Sequence, residues 1–271
     1  MHPRRAFSNG RVGHVSQKGL VTATRFVKGT PFSVVAPVAD LLRRPDGGVD
    51  CQLLFGEDVT VLETQDGWAF ARRGSDGYVG YLDAQLLGQP RGSTGRVSSL
   101  FSQFYSAPDM KSRARQTLTF GAAVDVQATE GDFARTPDGF VPRQHLRPLG
   151  TGDYVDVMER FLGIPYLWGG NSCFGMDCSG AVQLSLHAVG RPCPRDTDMQ
   201  VAELGHLLAP EQSLKRGDLV FWKGHVGVMQ DGRMMIHANA HDMTVASEPL
   251  VEAEARILAA GDGAITARKR L

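Results

Sequence analysis

The chain has 271 residues, enough for two or three compact units that each bury a core. Lys+Arg and Asp+Glu stand at 29 each, so no net charge draws it to nucleic acid or to an anionic membrane. No apolar run approaches the roughly 18–20 residues of a membrane helix, and the stretch Met1–Gly10 has basic residues with no apolar segment behind them. These features predict a cytoplasmic protein with no nucleic-acid or membrane partner.

Residues 1–30 carry little signal beyond Arg25-Phe26-Val27, which fits the opening of a first barrel. Up to residue 150, short β-type runs are broken by Gly, Asp and Pro, with almost no helical periodicity. An internal repeat lies here. Gly56-Glu57-Asp58-Val59-Thr60-Val61, Gly67-Trp68 and Asp76-Gly77-Tyr78-Val79 recur as Gly121-Ala122-Ala123-Val124-Asp125-Val126, Gly131-Asp132-Phe133 and Asp138-Gly139-Phe140-Val141. A repeat of roughly 60 residues with four to six short strands is a small barrel. Gln89 to Gly95 reads as the linker between copies, and Leu149-Gly150-Thr151-Gly152 as the boundary after them.

From residue 153 the texture becomes α+β. Asp153 caps a predicted helix through Val155, Val157, Met158 and Phe161 that stops before Gly163-Ile164-Pro165. A second helix starts at Asp177-Cys178-Ser179-Gly180, continues through Val182, Leu186 and Val189, and ends at a left-handed Gly190. Three β-type runs follow: 219–222, 225–229 and 234–238.

Cys178 is the residue that asks for chemistry. A lone Cys is most often a buried structural thiol. This one sits in the first turn of a helix, where unpaired N–H groups and the helix dipole favour a thiolate and lower a pKa that otherwise lies near about 8.5. The other cysteines, Cys51, Cys173 and Cys193, add no second tight pair to the Cys173–Cys178 spacing, so a zinc tetrahedron is not indicated. A nucleophilic thiol needs a base, and the base an orienting partner. His225 and His237 flank the turn Gln230-Asp231-Gly232. A two-residue Asp-Gly loop sends the two histidines to opposite faces, whereas a three-residue loop 230–232 with a left-handed Gly232 pairs them directly.

Four motifs now stand in order: Pro165-Tyr166-Leu167-Trp168-Gly169-Gly170, Asp177-Cys178-Ser179-Gly180, Gly224-His225-Val226-Gly227-Val228-Met229 and Ile236-His237-Ala238. Together they resemble the NlpC/P60 cysteine peptidases, papain-like enzymes that cut bacterial cell-wall peptides. The resemblance implies Cys178 as nucleophile, His225 as general base and His237 as the residue that orients it; His241 lies near but matches the spacing less well. It implies no metal and no organic cofactor. The repeat ahead of these motifs resembles bacterial SH3 (SH3b) domains. The implied architecture is multidomain: an extension over 1–30, SH3b barrels over 31–89 and 92–150, and an α+β papain-like catalytic domain over 151–271.

That arrangement resembles the γ-D-glutamyl-L-diamino-acid endopeptidases of the dipeptidyl-peptidase VI type. The implied substrate is a murein peptide with a free N-terminal L-Ala, cut between D-Glu and the diamino acid during cell-wall recycling. By position, Tyr166 would help hold the oxyanion and Trp168 would line the cleft. Asp177 and Ser179 would face the L-Ala end. Arg195, with Asp196 and Thr197 beside it, would meet a substrate carboxylate through its fork. Tyr78 would reach the substrate amine, with Glu57 as a second anion. Each has a plainer reading: core aromatics for Tyr166 and Trp168, an N-cap for Asp177, a solvated loop charge for Arg195. The competing functions are hydrolysis of intact peptidoglycan with the SH3b units as anchors, non-catalytic binding of murein peptides, and acyl transfer through the same thiol.

Overall fold

The computed structural model describes residues 1–147, 150 and 152–271. The chain divides into two units, Met1–Pro148 and Leu149–Leu271. The expected boundary 149–152 falls partly outside the described residues, since 149 and 151 are not among them.

The first unit is built from short strands. Seven form one sheet in the spatial order Val49–Leu54, Val38–Leu42, Val79–Asp83, Trp68–Arg73, Asp58–Gln65, Thr30–Val34, Leu87–Gly88. A five-stranded sheet follows in the order Ala114–Thr119, Phe101–Tyr105, Gly139–Pro142, Phe133–Thr136, Ala128–Glu130. The first five strands of the larger sheet and all five of the smaller share one order relative to the chain. The sequence repeat is therefore also a repeat of topology. Its second copy has a core of Phe104, Leu118, Val124 and Val141, joined by Phe55 from the first.

Two expectations for this unit need correction. Arg25-Phe26-Val27 does not open the barrel. Ala23–Val27 pairs in parallel with Gly10–His14, and this ribbon buries Phe7 and Val12 against Leu62 and Phe70. Asn9 and Arg11 fix it further by donating to Glu63, at 2.7 and 2.6 Å. The 89–95 segment is not a free linker either. The Arg91 N–H donates to Ser33 Oγ at 3.0 Å, its guanidinium lies 5.5 Å from the Phe55 ring centroid, and it pairs with Asp138.

The second unit holds helices α1 (Tyr154–Glu159), α2 (Cys178–Ala188), α3 (Thr197–Glu203) and α4 (Leu250–Ala259). The labels β1–β6 are kept for the strands of its one large sheet: His206–Leu207, Asp218–Trp222, His225–Met229, Met234–Asn239, Thr244–Pro249 and Ala267–Arg270. Their spatial order is β1-β6-β2-β3-β4-β5, antiparallel throughout. Asp153 caps α1 by accepting the Val155 N–H at 2.9 Å, and Gly190 is left-handed at φ 74°, both as expected. α1 is shorter than its periodicity predicts, and Phe161 lies in the turns that follow it.

α2 is the structural axis of this unit. Every residue from Cys178 to Leu186 is buried, and the helix packs on α1, β3 and β4. An all-round buried helix fixes its first residue in space, which is what a nucleophile at that position requires. α4 covers another part of the sheet, setting Leu250, Ala253 and Ile257 against Val220, Trp222, Met229 and Met235. Among the described residues no helix is long and apolar enough to cross a membrane.

Candidate active site

Asp177 and Arg195 shape the floor beneath Cys178. Asp177 caps α2, its Oδ1 accepting the Gly180 N–H at 2.7 Å. Its Oδ2 takes the Gly169 N–H at 3.0 Å. Arg195, fully buried, closes on both oxygens at 2.9 and 2.8 Å and donates to Ser179 Oγ at 2.8 Å. A second Arg195 branch reaches the Gly170 carbonyl at 3.2 Å. That carbonyl presses so close to the helix that a Cβ on Gly180 would sit 2.3 Å from it. The glycines in the two motifs let the 165–170 segment lie directly against the first turn of α2, which begins at Cys178.

The Cys178 thiol lies 3.9 Å from Thr197 Oγ1 and 4.0 Å from the Gly224 carbonyl, and the nearby Val226 N–H favours its ionised form. Gly224 and Val226 flank His225, so the thiol meets the opening of β3 where that histidine stands. His225 Nε2 is 2.8 Å from His237 Nδ1. His237 is fully buried, and its Nε2 lies 2.8 Å from Glu248 Oε1 on β5 and 3.1 Å from Asn239 Nδ2. Glu248 pairs in turn with Arg256 of α4.

The hairpin that joins the histidines differs from both expected forms. Gln230 N–H bonds to the Met234 carbonyl at 2.9 Å, and Val228 faces Ile236, so the three-residue loop is 231–233 and not 230–232. Asp231 Oδ1 closes it by accepting the Arg233 and Met234 N–H groups at 2.6 and 2.7 Å, and Gly232 is not left-handed. An Asx-type turn did the work assigned to glycine. The odd loop still leaves both imidazoles on one face, displaced diagonally by two residues along the strand.

Burial governs the protonation of the pair. It pushes the Cys178 thiol up to about 11, and the neighbouring Asp177 carboxylate adds to the rise against opposing bonds from Val226 and Thr197. It pushes His225 down to about 3, aided by His237. The expected lowering by the helix N-terminus does not prevail. Desolvation outweighs it, and a carboxylate caps the same turn. At neutral pH the two groups rest uncharged.

The sequence pattern of the NlpC/P60 family matches residues 163–255, and that of the bacterial dipeptidyl-peptidase SH3 domain matches 41–87. The chain carries an NlpC/P60 domain together with a bacterial SH3 domain. It is 29% identical to the gamma-D-glutamyl-L-lysine dipeptidyl-peptidase of Bacillus subtilis, over 71% of this chain and 73% of that protein. Identity to the dipeptidyl-peptidase 6 of Lysinibacillus sphaericus is 24%, over 76% of this chain and 86% of that one. A solved NlpC/P60 family protein from Bacillus cereus superposes at TM-score 0.75, covering 89% of this chain and 99% of that one at 19% identity, a likeness of fold. Hydrolase relatives of this kind support a peptide as substrate.

Within the NlpC/P60 domain the remaining expected residues separate into groups. Tyr166 is half-buried, and burial with the nearby Cys178 and Asp177 holds its phenol protonated, pushed up to about 12. Trp168 is 72% exposed, so the core-aromatic reading fails for it. Thr197 touches the thiol, while Asp196 precedes α3 without capping it. Arg195 is not available to a substrate carboxylate, because its fork closes on Asp177 inside the protein. Asp177 is correspondingly closed to a substrate amine: with Ser179 at 3.2 Å, it has five donors on the roughly four lone-pair sites of a carboxylate. Ser179 is held between these two charges. In the SH3-bearing unit, Tyr78 is buried and Glu57 forks onto the buried Arg73 at 2.6 and 2.7 Å.

His241 is exposed and lines an open groove with Asp242, Glu248 and Arg256. His237 holds the bond to His225 instead. Glu248, Asn239 and Arg256 were not foreseen. A readable signal existed for part of this: the amphipathic run 250–259 sets Leu250, Ala253 and Ile257 on one face and carries Arg256 beside the strand that ends at Pro249.

Proposed function

We propose that this protein is a cysteine peptidase that hydrolyses the γ-D-Glu–L-diamino-acid bond of murein peptides with a free N-terminal L-Ala, in cell-wall peptide recycling in the cytoplasm. The observation that carries the reading is the Cys178 thiol set against the backbone on both sides of His225, whose ring is bonded to His237.

The thiol proton passes to His225 as sulfur attacks the γ-carbonyl carbon. The resulting oxyanion faces the Cys178 N–H, which at the first position of α2 has no intrahelical acceptor, and the protonated Tyr166 phenol. Collapse breaks the C–N bond. The diamino-acid amine leaves with the proton from His225, and a thioester remains. Water, deprotonated by His225, hydrolyses the thioester and frees L-Ala-D-Glu. Thr197 Oγ1 borders the sulfur throughout, and Trp168 offers an exposed aromatic wall to the peptide. Choice of a free amine is part of the proposal. The second β-sheet repeat is proposed as a second SH3-type module.

Purified protein given L-Ala-γ-D-Glu-meso-diaminopimelate and its N-acetylated form tests the reading, with Cys178→Ala as the blank. Release of free diaminopimelate from the unblocked tripeptide alone, lost in the variant, is expected. Equal cleavage of both forms would favour action on intact peptidoglycan, a new amide product would mean transfer, and silence on both would remove the peptidase assignment.

A further inference from the structure

We propose that Glu248 is a positioning residue that sets the tautomers of the histidine pair. Its carboxylate keeps the His237 proton on Nε2, which leaves His237 Nδ1 bare to accept the Nε2–H of His225 and leaves His225 Nδ1 bare to take the thiol proton. The inference rests on Cys178 and His225 acting as nucleophile and base.

His237 Nε2 meets two groups with opposite demands. Glu248 Oε1, at 2.8 Å, can only accept, and Asn239 Nδ2, at 3.1 Å, can only donate. The Asn239 amide cannot turn over. Its Oδ1 accepts the Asp242 N–H at 2.7 Å and its Nδ2 donates to Asp242 Oδ2 at 3.0 Å, so a flip would set oxygen against carboxylate and N–H against N–H. A bond to a carboxylate is shorter and roughly twice as strong as one between neutral groups. The carboxylate therefore prevails and the proton stays on Nε2. Arg256 shares the same Oε1 and, with His237, holds the Glu248 carboxyl below its ordinary range.

The heavy atoms alone admit a second pattern. In it Asn239 donates to His237 Nε2, His237 Nδ1–H donates to His225 Nε2, and the remaining hydrogen sits on His225 Nδ1. An imidazole so protonated cannot accept the thiol's proton. Of the two patterns in which both rings are neutral, only one is competent, and Glu248 selects it.

Nitrogen-15 NMR of histidine-labelled protein reads the pattern directly. Both His225 and His237 are expected to carry hydrogen on Nε2. Glu248→Met, close in volume but without an acceptor, should move both hydrogens to Nδ1 and lower kcat by about 100-fold or more with KM within about threefold; a wrong tautomer in a Ser-His-Asp triad costs about 10⁴. Glu248→Gln, which keeps an oxygen, should fall between. Removing the competing donor as well, in Glu248→Met/Asn239→Leu, should abolish the bias toward Nδ1 and restore part of kcat. Hydrogen on Nδ1 of either histidine in the wild type overturns the proposal, as does a folded Glu248→Met protein with the wild-type pattern, whatever its activity. Should Glu248→Met fail to fold, the wild-type spectrum and Glu248→Gln decide. The spectra need no substrate, so their outcome is separate from failure of peptide cleavage.

Discussion

The two flanks of Cys178 solve the problem of burying polar groups in opposite ways. On one side Asp177 and Arg195 form a buried, forked ion pair bonded further to Gly169, Gly170, Ser179 and Gly180. On the other, His225 and His237 form a chain that ends on the Glu248–Arg256 pair. A forked ion pair resists change and holds geometry. The His225 imidazole, kept uncharged by burial, has a vacant lone pair and can take a proton. Burial next to Cys178 is therefore not enough for proton transfer; what matters is whether the buried group can take up and return a proton.

Substitutions on the two flanks should separate these roles. Cys178→Ala and His225→Ala should each lower kcat by about 10⁴-fold or more while the protein stays folded, since the two act as a unit; paired kinetic and thermal-melting measurements check this. Arg195→Met should behave oppositely. It leaves the Asp177 charge buried without its partner, at a cost of about 3–5 kcal/mol, read as a lower midpoint in urea. Arg195→Lys should not restore it, because an ammonium cannot fork.

The proton chain predicts a pH signature. His225 is pushed down by burial to about 3, so the imidazole stays a competent base as pH falls and kcat/KM should remain level below pH 6. A limb centred on the ordinary imidazole value of about 6.5 would count against it. The same shift bears on stability. Below about 6.5 the unfolded chain takes up a proton that the folded His225 refuses, so stability should decline from there toward the folded value, and His225→Asn should flatten that decline. For the Cys178 thiol, pushed up to about 11, the loss comes as pH rises past the unfolded value, and Cys178→Ala should flatten it. The smallest effect belongs to Trp168→Ala. At an exposed position it should change stability by no more than about 0.5 kcal/mol and act on KM alone, seen by comparing melts with Michaelis curves.

Much of this was legible in the residues. Capping by Asp153 and Asp177, the left-handed Gly190 and the three central strands followed from local chemistry that the folded chain leaves in place. The C-terminal strand did not. Ala267-Arg268-Lys269-Arg270 carries three consecutive charges and no apolar alternation, yet Arg270 forks onto Asp218 at 2.7 and 2.6 Å and Lys269 Nζ donates to the Val201 carbonyl at 2.6 Å. Distant partners converted a charge run into a strand. Arg195 failed for a related reason. Its affinity for a carboxylate was readable, but that the carboxylate is Asp177 depends on a contact 18 residues away in sequence. Glu248 was hidden because its meaning lies in facing His237 across a strand pair, which no spacing within one strand reveals.

The resting state of the thiol is where the two flanks meet, and its alkylation by iodoacetamide tests that state most directly. Intact-mass kinetics from pH 5 to 10, with Cys178→Ala to subtract Cys51, Cys173 and Cys193, would follow the one sulfur. A neutral pair predicts slow labelling through neutral pH, with the rate climbing only in the alkaline range as the raised thiol ionises. Fast labelling already level by pH 6 would reveal a preformed thiolate–imidazolium pair and contradict the account.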